Sequence, residues 1–300
     1  MARAWLLPLL VAIGCGSSSA EGTDASTGSQ MGSGSSETSS AATTSTDASE
    51  AGTNADGSTG AAQCSRLYGR PNENSGLGPD QCGPTCACEG DWVAPEYTAE
   101  DIAALRALEL TTPFEDLTAD PYETPEDFPL DDDSVCGVLV DGTSYGLQTF
   151  DDDEAAEAAG AKVTHDGACG LCSPLQDLAA YMDNGDLTEP VRACGVLGLS
   201  EGDEAQFECL LELGFTEPCA RIWGYNTTHT RTVCLQVCLD LLDAPYHEDD
   251  GSLNECLQCD EDLSGPVFKA VAGRTRRNTG LASALCRPCD EVRQVVHRYE

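Results

Sequence analysis

The sequence predicts an α+β protein that is mainly helical in its C-terminal half and is held together by disulfide bonds. Three observations support this prediction: 17 cysteines among 300 residues, a hairpin-like pattern near residues 136–165, and capped helical patterns after Cys172. The cysteine-rich part follows residues 16–63, which are almost entirely Ser, Thr, Gly, Ala, Asp and Glu and contain no Lys, Arg, aromatic residue or Pro. Such a tract buries too little apolar surface to fold, so we expect residues 15–63 to be a disordered linker.

Residues 64–135 are predicted to be a small cysteine-rich segment with one helix and an acidic connection. Four cysteines lie close together at its start, and we expect two local bridges among them: Cys64, Cys82, Cys86 and Cys88. The stretch "YTAEDIAALRALEL" predicts a helix capped by Thr98, with Asp101 completing a capping box. Residues 112–133 are acidic and contain four prolines, which is typical of a surface connection and marks a candidate domain boundary.

Residues 136–300 are predicted to be a cysteine-rich, mainly helical domain that begins with a ββαβ segment at 136–165. Asp141-Gly142 lies between two β-prone runs and indicates a hairpin. Capped helices are predicted to follow, one of them beginning at Ser173. A last helical segment is predicted over 281–299, interrupted by Pro288.

The N-terminus has the pattern of an export signal. Arg3 precedes an apolar run from Trp5 to Ile13, and nine helical residues span only about 14 Å of a hydrocarbon core about 30 Å thick. The sequence Ile13-Gly14-Cys15 resembles the end of a bacterial lipoprotein signal peptide. The resemblance implies that residues 1–14 are removed and that Cys15 becomes the acylated N-terminus, carrying palmitate-like chains in a membrane. Gly16 after the cysteine, by the same resemblance, implies the outer membrane of a two-membrane bacterium.

Cysteine parity agrees with export. Without Cys15 there are 16 cysteines, an even number that can pair completely. Cleavage after Ala20, which would give a freely secreted protein, leaves the same 16 and stays open as an alternative. Outside the cytosol thiols are oxidised, so all 16 are disulfide candidates: Cys64, Cys82, Cys86, Cys88, Cys136, Cys169, Cys172, Cys194, Cys209, Cys219, Cys234, Cys238, Cys256, Cys259, Cys286 and Cys289.

Three groups of residues could form a redox or metal site. Cys169-Gly170-Leu171-Cys172 locally resembles the thioredoxin motif, which implies a redox dithiol with His165 nearby. The pairs Cys256/Cys259 and Cys286/Cys289 could form a four-thiolate zinc site, although the 26 residues between them exceed the usual separation of about 15–20. Acidic clusters at 131–133 and 151–154 raise the question of calcium, although their spacing is not that of an EF-hand. Structural disulfides and a solvated acidic surface are the favoured interpretations, and we expect neither a metal nor a cofactor.

Charge and missing motifs limit the function. A net charge of −37 disfavours nucleic acid and anionic membrane surfaces as partners. The pattern G-x-S-x-G occurs at 142–146 and at 198–202, but neither match lies between a predicted strand and a helix as a nucleophile elbow does. The sequence contains no Walker, H-E-x-x-H or G-x-G-x-x-G pattern, so it favours a protein that is not an enzyme. The favoured hypothesis is a membrane-tethered lipoprotein with a structural or interaction role toward an envelope protein or surface ligand. The alternative is an exported thiol–disulfide oxidoreductase that uses Cys169 and Cys172.

Overall fold

The computed structural model describes residues 67–86, 92–131 and 133–299. The predicted fold class is confirmed there, because small sheets are followed by helices that lie mainly after residue 172. The strands are β1 Leu67–Tyr68, β2 Cys82–Gly83, β3 Thr85–Cys86, β4 Trp92–Val93, β5 Glu109–Leu110, β6 Val135–Asp141, β7 Ser144–Phe150 and β8 Lys162–Asp166. The helices are α1 Ala99–Ala107, α2 Asp153–Ala158, α3 Leu175–Asp183, α4 Thr188–Glu201, α5 Asp203–Glu212, α6 Glu217–Asp240, α7 Glu255–Leu263 and α8 Gly265–Ala272.

The main sheet has the strand order β5-β7-β6-β8 and contains the predicted ββαβ segment. Strands β6 and β7 form the expected hairpin, and Val138 lies opposite Leu147. Gly142 turns the chain with φ of +64°, a conformation that favours glycine. Helix α2 then leads into β8, which pairs antiparallel with β6. The alternating pattern and the Asp-Gly turn therefore give the structure that they predict.

The helix of the N-terminal segment shares a core with the later residues. Thr98 and Asp101 form the predicted capping box of α1. Ile102 and Leu105 are buried in one apolar cluster with residues of β6, β7 and α3, namely Val138, Tyr145, Leu175, Leu178 and Ala179. The boundary predicted near residue 135 therefore does not separate two cores, and the described residues on its two sides belong to one compact unit.

The helical half is built around α6, the longest helix among the described residues. Its N-terminal half, which was not predicted to be helical, buries Cys219, Ala220 and Ile222 in a core with residues of α5 and α8 such as Leu210 and Phe268. Helix α4 was also not predicted, and it joins α5 through the Cys194–Cys209 disulfide. None of the helices in the described ranges is long and apolar enough to span a membrane.

Seven disulfides join the described residues, which confirms the disulfide-rich character of the fold. They are Cys82–Cys286, Cys86–Cys289, Cys136–Cys169, Cys172–Cys219, Cys194–Cys209, Cys234–Cys259 and Cys238–Cys256. Cys15, Cys64 and Cys88 lie outside the described residues, as does the predicted linker.

The two local bridges expected in the first cysteine cluster are wrong for Cys82 and Cys86. Both form disulfides with cysteines more than 200 positions away, because the first described segment packs against the last one. Tyr68 and Arg287 exchange backbone hydrogen bonds of 2.8 and 2.9 Å, and the Tyr68 hydroxyl donates to the Gly280 carbonyl. These backbone contacts bring the cysteines of the two segments together.

The predicted helix over 281–299 is also wrong. Only Cys289–Glu291 forms a short 3-10 turn in that range. The backbone there bonds to distant partners instead, since the Arg293 amide donates to the Arg277 carbonyl and the His297 amide donates to the Tyr97 hydroxyl. Pro288, which lacks an N–H, precedes both of these donors in the chain. The apolar residues of the segment, such as Val292 and Tyr299, pack against neighbouring segments and do not form one face of a helix.

A buried carboxyl group joins α3 to α6. Asp177 is fully buried and accepts hydrogen bonds from the Thr216 amide at 2.7 Å and from the Thr216 hydroxyl at 2.8 Å, at the N-cap of α6. Burial raises the pKa of Asp177 to about 7, although the Thr216 hydrogen bonds act in the opposite direction. The native state therefore binds a proton at Asp177 over a pH range in which the unfolded chain does not.

We predict that the free energy of unfolding rises as the pH is lowered from about 7 to about 4. The folded pKa of Asp177 lies above the unfolded value of about 3.9, so its charged form weakens the native state progressively as the pH rises through this window. The expected slope from this one group is about 1 kcal/mol per pH unit. Urea unfolding at closely spaced pH values measures it.

The matched variant is Asp177→Asn, which keeps the shape and one acceptor oxygen, replaces the other oxygen by a donating amide group, and cannot titrate. Other acidic groups contribute equally to both proteins, so the difference between the two pH profiles isolates Asp177. We expect a flatter profile for the variant between pH 4 and 7. Two parallel profiles would show that Asp177 does not titrate in this range.

Candidate functional site

The predicted redox pair is not a pair in the structure. Cys169 forms a disulfide with Cys136 of β6, and Cys172 forms one with Cys219 of α6. The two cysteines are close in sequence, between β8 and α3, but one is bonded to a strand and the other to a helix. Cys169 and Cys172 are therefore not paired with each other here, and the oxidoreductase alternative gains no support from this arrangement.

The four cysteines considered as zinc ligands are all in disulfides. Their pairs are Cys238–Cys256, Cys234–Cys259, Cys82–Cys286 and Cys86–Cys289. Within 67–86, 92–131 and 133–299, no three His, Cys, Asp or Glu side chains are grouped as metal ligands would be.

The acidic clusters considered as calcium ligands serve local structure. Asp131 accepts hydrogen bonds from the backbone amides of Asp133 and Ser134, and Asp152 caps α2 through the Ala155 amide.

A buried polar network, which the sequence analysis missed, lies behind β8. Arg274 is fully buried and donates five hydrogen bonds of 2.8–3.4 Å. Its acceptors are neutral oxygens: the carbonyls of Cys172, Thr164 and Ser173 and the hydroxyls of Thr164 and Thr279. Burial lowers the pKa of Arg274, but the guanidinium stays charged at neutral pH. It links the start of α3 to β8 and the segment after α8.

His165 and Ser173 belong to the same network. His165 Nε2 lies 2.7 Å from Ser173 Oγ, and His165 Nδ1 lies 2.9 Å from the Asp166 carbonyl. Burial and the nearby Arg274 guanidinium hold the pKa of His165 well below its ordinary value, so the ring is neutral. Ser173, predicted as a helix cap, instead accepts from the Gly170 amide at 2.8 Å. Both side chains have zero exposure, so this Ser–His pair is closed to substrate and stabilises the fold.

The open site is a cavity of about 580 Å³ between α4, α6, α7, α8 and residues 275–292, which we name the α6 cavity. Its volume lies within the range of about 300–1,000 Å³ that is usual for small-molecule sites. One face of α6 runs along it and changes character from polar to apolar toward the C-terminus, in the order Trp223, Asn226, Thr227, Thr230, Arg231, Leu235 and Leu239.

The apolar lining of the α6 cavity is unusually open to solvent. Leu235, Leu239 and Leu242 lie at the C-terminal end of α6 and in the turn after it, and their exposed fractions are 45% to 51%. Val196 and Leu199 of α4, which are 57% and 62% exposed, lie nearer the N-terminal half of α6, because Arg231 donates to the Gly195 carbonyl and Gln206 to the Gly224 carbonyl. Adjoining exposed apolar side chains of this kind mark interaction sites more often than isolated ones do. The Cys238–Cys256 disulfide also lines the cavity and fixes α6 to α7 there.

The α6 cavity reverses the charge balance of the chain. Six Lys and Arg side chains line it against three acidic ones, whereas the whole chain has 15 basic and 52 acidic residues. Two of these cations, Arg231 and Arg276, contact neutral oxygens and no carboxylate of the described residues. In so acidic a chain, two arginines with neutral partners at one cavity give it a local positive character.

Arg276 is the least satisfied of these side chains. One guanidinium nitrogen donates to the Tyr181 carbonyl at 2.5 Å, while Nε is buried and has no hydrogen-bond partner in the described part of the chain. Burial lowers the pKa of Arg276 to about 10, partly offset by the nearby Tyr181 and Asp186. A desolvated cation with a free donor is costly unless an anion or acceptor joins it.

Trp223 lies beside the same tyrosine. Its ring centroid is 6.4 Å from that of Tyr181, and the Arg276 guanidinium is 5.8 Å from the Tyr181 ring. Within the described ranges the buried indole N–H makes no hydrogen bond of acceptable geometry, although it is close enough to the Tyr181 hydroxyl to favour that group's ionised form. Two buried donors, on Trp223 and Arg276, therefore flank one tyrosine ring at the polar end of the α6 cavity.

Comparison with known proteins adds one finding. A sequence model described as a family of unknown function (DUF8771) matches residues 203–295, which include α5 to α8 and most of the α6 cavity. Searches among curated proteins and among solved structures found no match. The chain is thus similar to that family over this part of its length.

We predict that Arg274→Lys lowers the free energy of unfolding by at least about 3 kcal/mol. A lysine has three donors on a flexible stem and cannot reach five acceptors around a planar guanidinium, so buried carbonyls lose their partners. Urea unfolding with the disulfides intact measures the loss.

The control is Arg277→Lys, at a half-buried arginine that forms ion pairs with Glu261 and Glu291 at the surface. We expect that change to cost less than about 1 kcal/mol. Equal effects of the two substitutions would refute a special role for Arg274 in the fold.

Proposed function

We propose that the protein is an exported, lipid-anchored envelope protein with an interaction role, and that it binds its partner or ligand in the α6 cavity. The observation that carries the binding role is this open apolar cavity, in which two arginines have only neutral partners among the described residues. Folded proteins normally bury large apolar surfaces and pair their buried charges. A cavity whose apolar side chains stay exposed and whose arginines have no anionic partner is therefore suited to binding another molecule.

Export is supported by the disulfide framework. Seven disulfides among the described residues suit an oxidising compartment and would be unusual in the cytosol of most organisms. They use 14 of the 16 cysteines that remain when Cys15 is set aside.

The anchor is supported by the sequence before the fold. An apolar run ends in Ile13-Gly14-Cys15, and residues 16–63 then have the composition of a flexible tether. A coil of about 48 residues has an end-to-end distance of roughly 40 Å, which would let the folded unit stand away from the bilayer. Outer-membrane placement, by resemblance of the residue after Cys15, is part of the proposal.

The test is Cys15→Ala in the natural host or a related two-membrane bacterium. We expect the parent to incorporate labelled fatty acid and to sediment with membranes, because several acyl chains give stable anchoring. The variant should incorporate no label and accumulate as uncleaved precursor. Labelling, fractionation and N-terminal sequencing measure these outcomes.

Ser17→Ala is the matched control, since it alters the same small-residue stretch but keeps Cys15. It should behave as the parent does. A mature protein that begins at Glu21 would establish free secretion instead, and a Cys15→Ala protein that stays membrane-bound like its parent would contradict the lipid anchor.

A further inference from the structure

We infer that the α6 cavity binds a long-chain carboxylate, with its carboxylate at Arg276 and its hydrocarbon chain along the leucines of α6. The inference deepens the proposed interaction role and depends on it, because it names the class of ligand. Four features of the cavity support it: an unsatisfied cation, a neighbouring donor, an apolar stripe and the order in which these occur along one helix.

The head group is assigned from Arg276. Its Nε is buried without an acceptor among the described residues, and its one hydrogen bond there goes to the Tyr181 carbonyl. A carboxylate has two oxygens that match a guanidinium edge and accept charge-assisted hydrogen bonds from it. Binding such a group would supply an anionic partner to a half-buried cation that contacts no carboxylate of the described residues.

Trp223 supplies a second donor at the same end. Its indole N–H is buried without a good acceptor in the described ranges, and both it and Arg276 flank the Tyr181 ring. Donors without acceptors select a ligand that carries acceptors, and an indole N–H can only donate. A carboxylate oxygen meets this requirement, whereas an ammonium group would meet neither donor.

The tail is assigned from the apolar end of the same helix. Leu235 follows Trp223 by 12 positions, which at 1.5 Å per residue is about 18 Å along α6. Beyond it, Leu239 and Leu242 continue the apolar lining and are about half exposed. Between Trp223 and Leu235 the lining side chains of α6 are polar, and the apolar side chains beside them are Val196 and Leu199 of α4. A ligand that is charged at one end and apolar over a length of this order can follow these side chains to the leucines, while a short acid would leave the leucines uncovered.

The net charge of the chain further limits the class of ligand that the cavity can bind. With 52 acidic against 15 basic residues, the chain repels polyanions at long range. A ligand with a single carboxylate on an apolar chain carries only one negative charge, so the acidic protein repels it little. The excess of basic side chains that line the cavity attracts its carboxylate. This charge distribution favours a monoanionic lipid over an acidic protein or a nucleic acid.

The experiment uses the mature chain from Gly16 to Glu300, exported with an ordinary cleavable signal. Relative to the proposed mature protein this chain lacks only Cys15, and it retains all the residues that the structure describes. Binding of palmitate is measured by calorimetry below its critical micelle concentration. We expect saturable 1:1 binding, with hexadecanol and acetate each at least about tenfold weaker because each lacks one half of the ligand.

Two matched pairs of variants test the two ends. At the polar end, Arg276→Gln should weaken palmitate binding at least about tenfold, as expected for lost charge-assisted hydrogen bonds. Its control is Arg192→Gln, because Arg192 lines the cavity but is paired with Glu189 at 2.8 Å. At the apolar end, Leu239→Asp should abolish binding, whereas Leu263→Asp should not, because Leu263 is equally exposed at 52% but lies outside the cavity lining.

Near-ultraviolet circular dichroism and a count of free thiols establish that each variant is folded. The variant Arg276→Lys keeps the positive charge and should therefore bind palmitate more tightly than Arg276→Gln does. Absence of palmitate binding, or equal binding by Arg276→Gln and the parent, overturns the inference. Self-association of the unliganded chain that Leu239→Asp abolishes would assign the surface to a second copy and also overturn it. A failure here with a positive result for Cys15 acylation would reject the ligand class and leave the tethered interaction role standing.

Discussion

The fold depends on the connection between its first and last described segments. Cys82 and Cys86 lie four residues apart and bond to Cys286 and Cys289, which lie three residues apart, so two adjacent disulfides close a loop of about 200 residues. Backbone hydrogen bonds between Tyr68 and Arg287 align the two segments. Closing so long a loop removes more entropy from the unfolded chain than any of the other described bridges does, since their separations are 15 to 47 residues. The two segments thereby share two small apolar clusters, one that contains Tyr68 and Val292 and one that contains Leu77 and the Cys82–Cys286 disulfide.

Two arginines of one segment show how the same side chain serves structure or binding according to its partners. Arg274 has five acceptors and no exposure, so nothing remains for a ligand to supply. Arg276, two residues later, has one acceptor in the described ranges and an unpaired buried Nε at the edge of a cavity. The first fixes α3 and β8 in place. Tyr181 of α3, whose position depends on that arrangement, then presents its carbonyl and ring to Arg276. The stability of the polar network therefore determines the geometry of the polar end of the α6 cavity.

Local features were predictable from sequence where the interaction is local. The Thr98–Asp101 capping box and the Asp141-Gly142 turn involve residues within four positions, and both are present. The cysteine pairing was not predictable, because it depends on which segments meet in three dimensions. The first half of α6, which contains Gly224, Asn226 and two threonines, has low helix propensity and is helical because it packs in the core. The arginines of the α6 cavity left no sequence signal, since the surplus of acidic residues gives every arginine a plausible partner.

The most direct test of this account is a double-mutant cycle on the two long-range disulfides, measured as free energies of unfolding in urea. The cycle compares Cys82→Ala/Cys286→Ala, Cys86→Ala/Cys289→Ala and the variant with all four changes. Either bridge alone keeps the long loop closed, so each single removal should cost only the roughly 2 kcal/mol of a small ring. Removing both opens the loop of about 200 residues and should cost at least about 3 kcal/mol more than the sum of the two single losses. Additive losses, or a variant without both bridges that is nearly as stable as the parent, would contradict the claim that this connection holds the fold together.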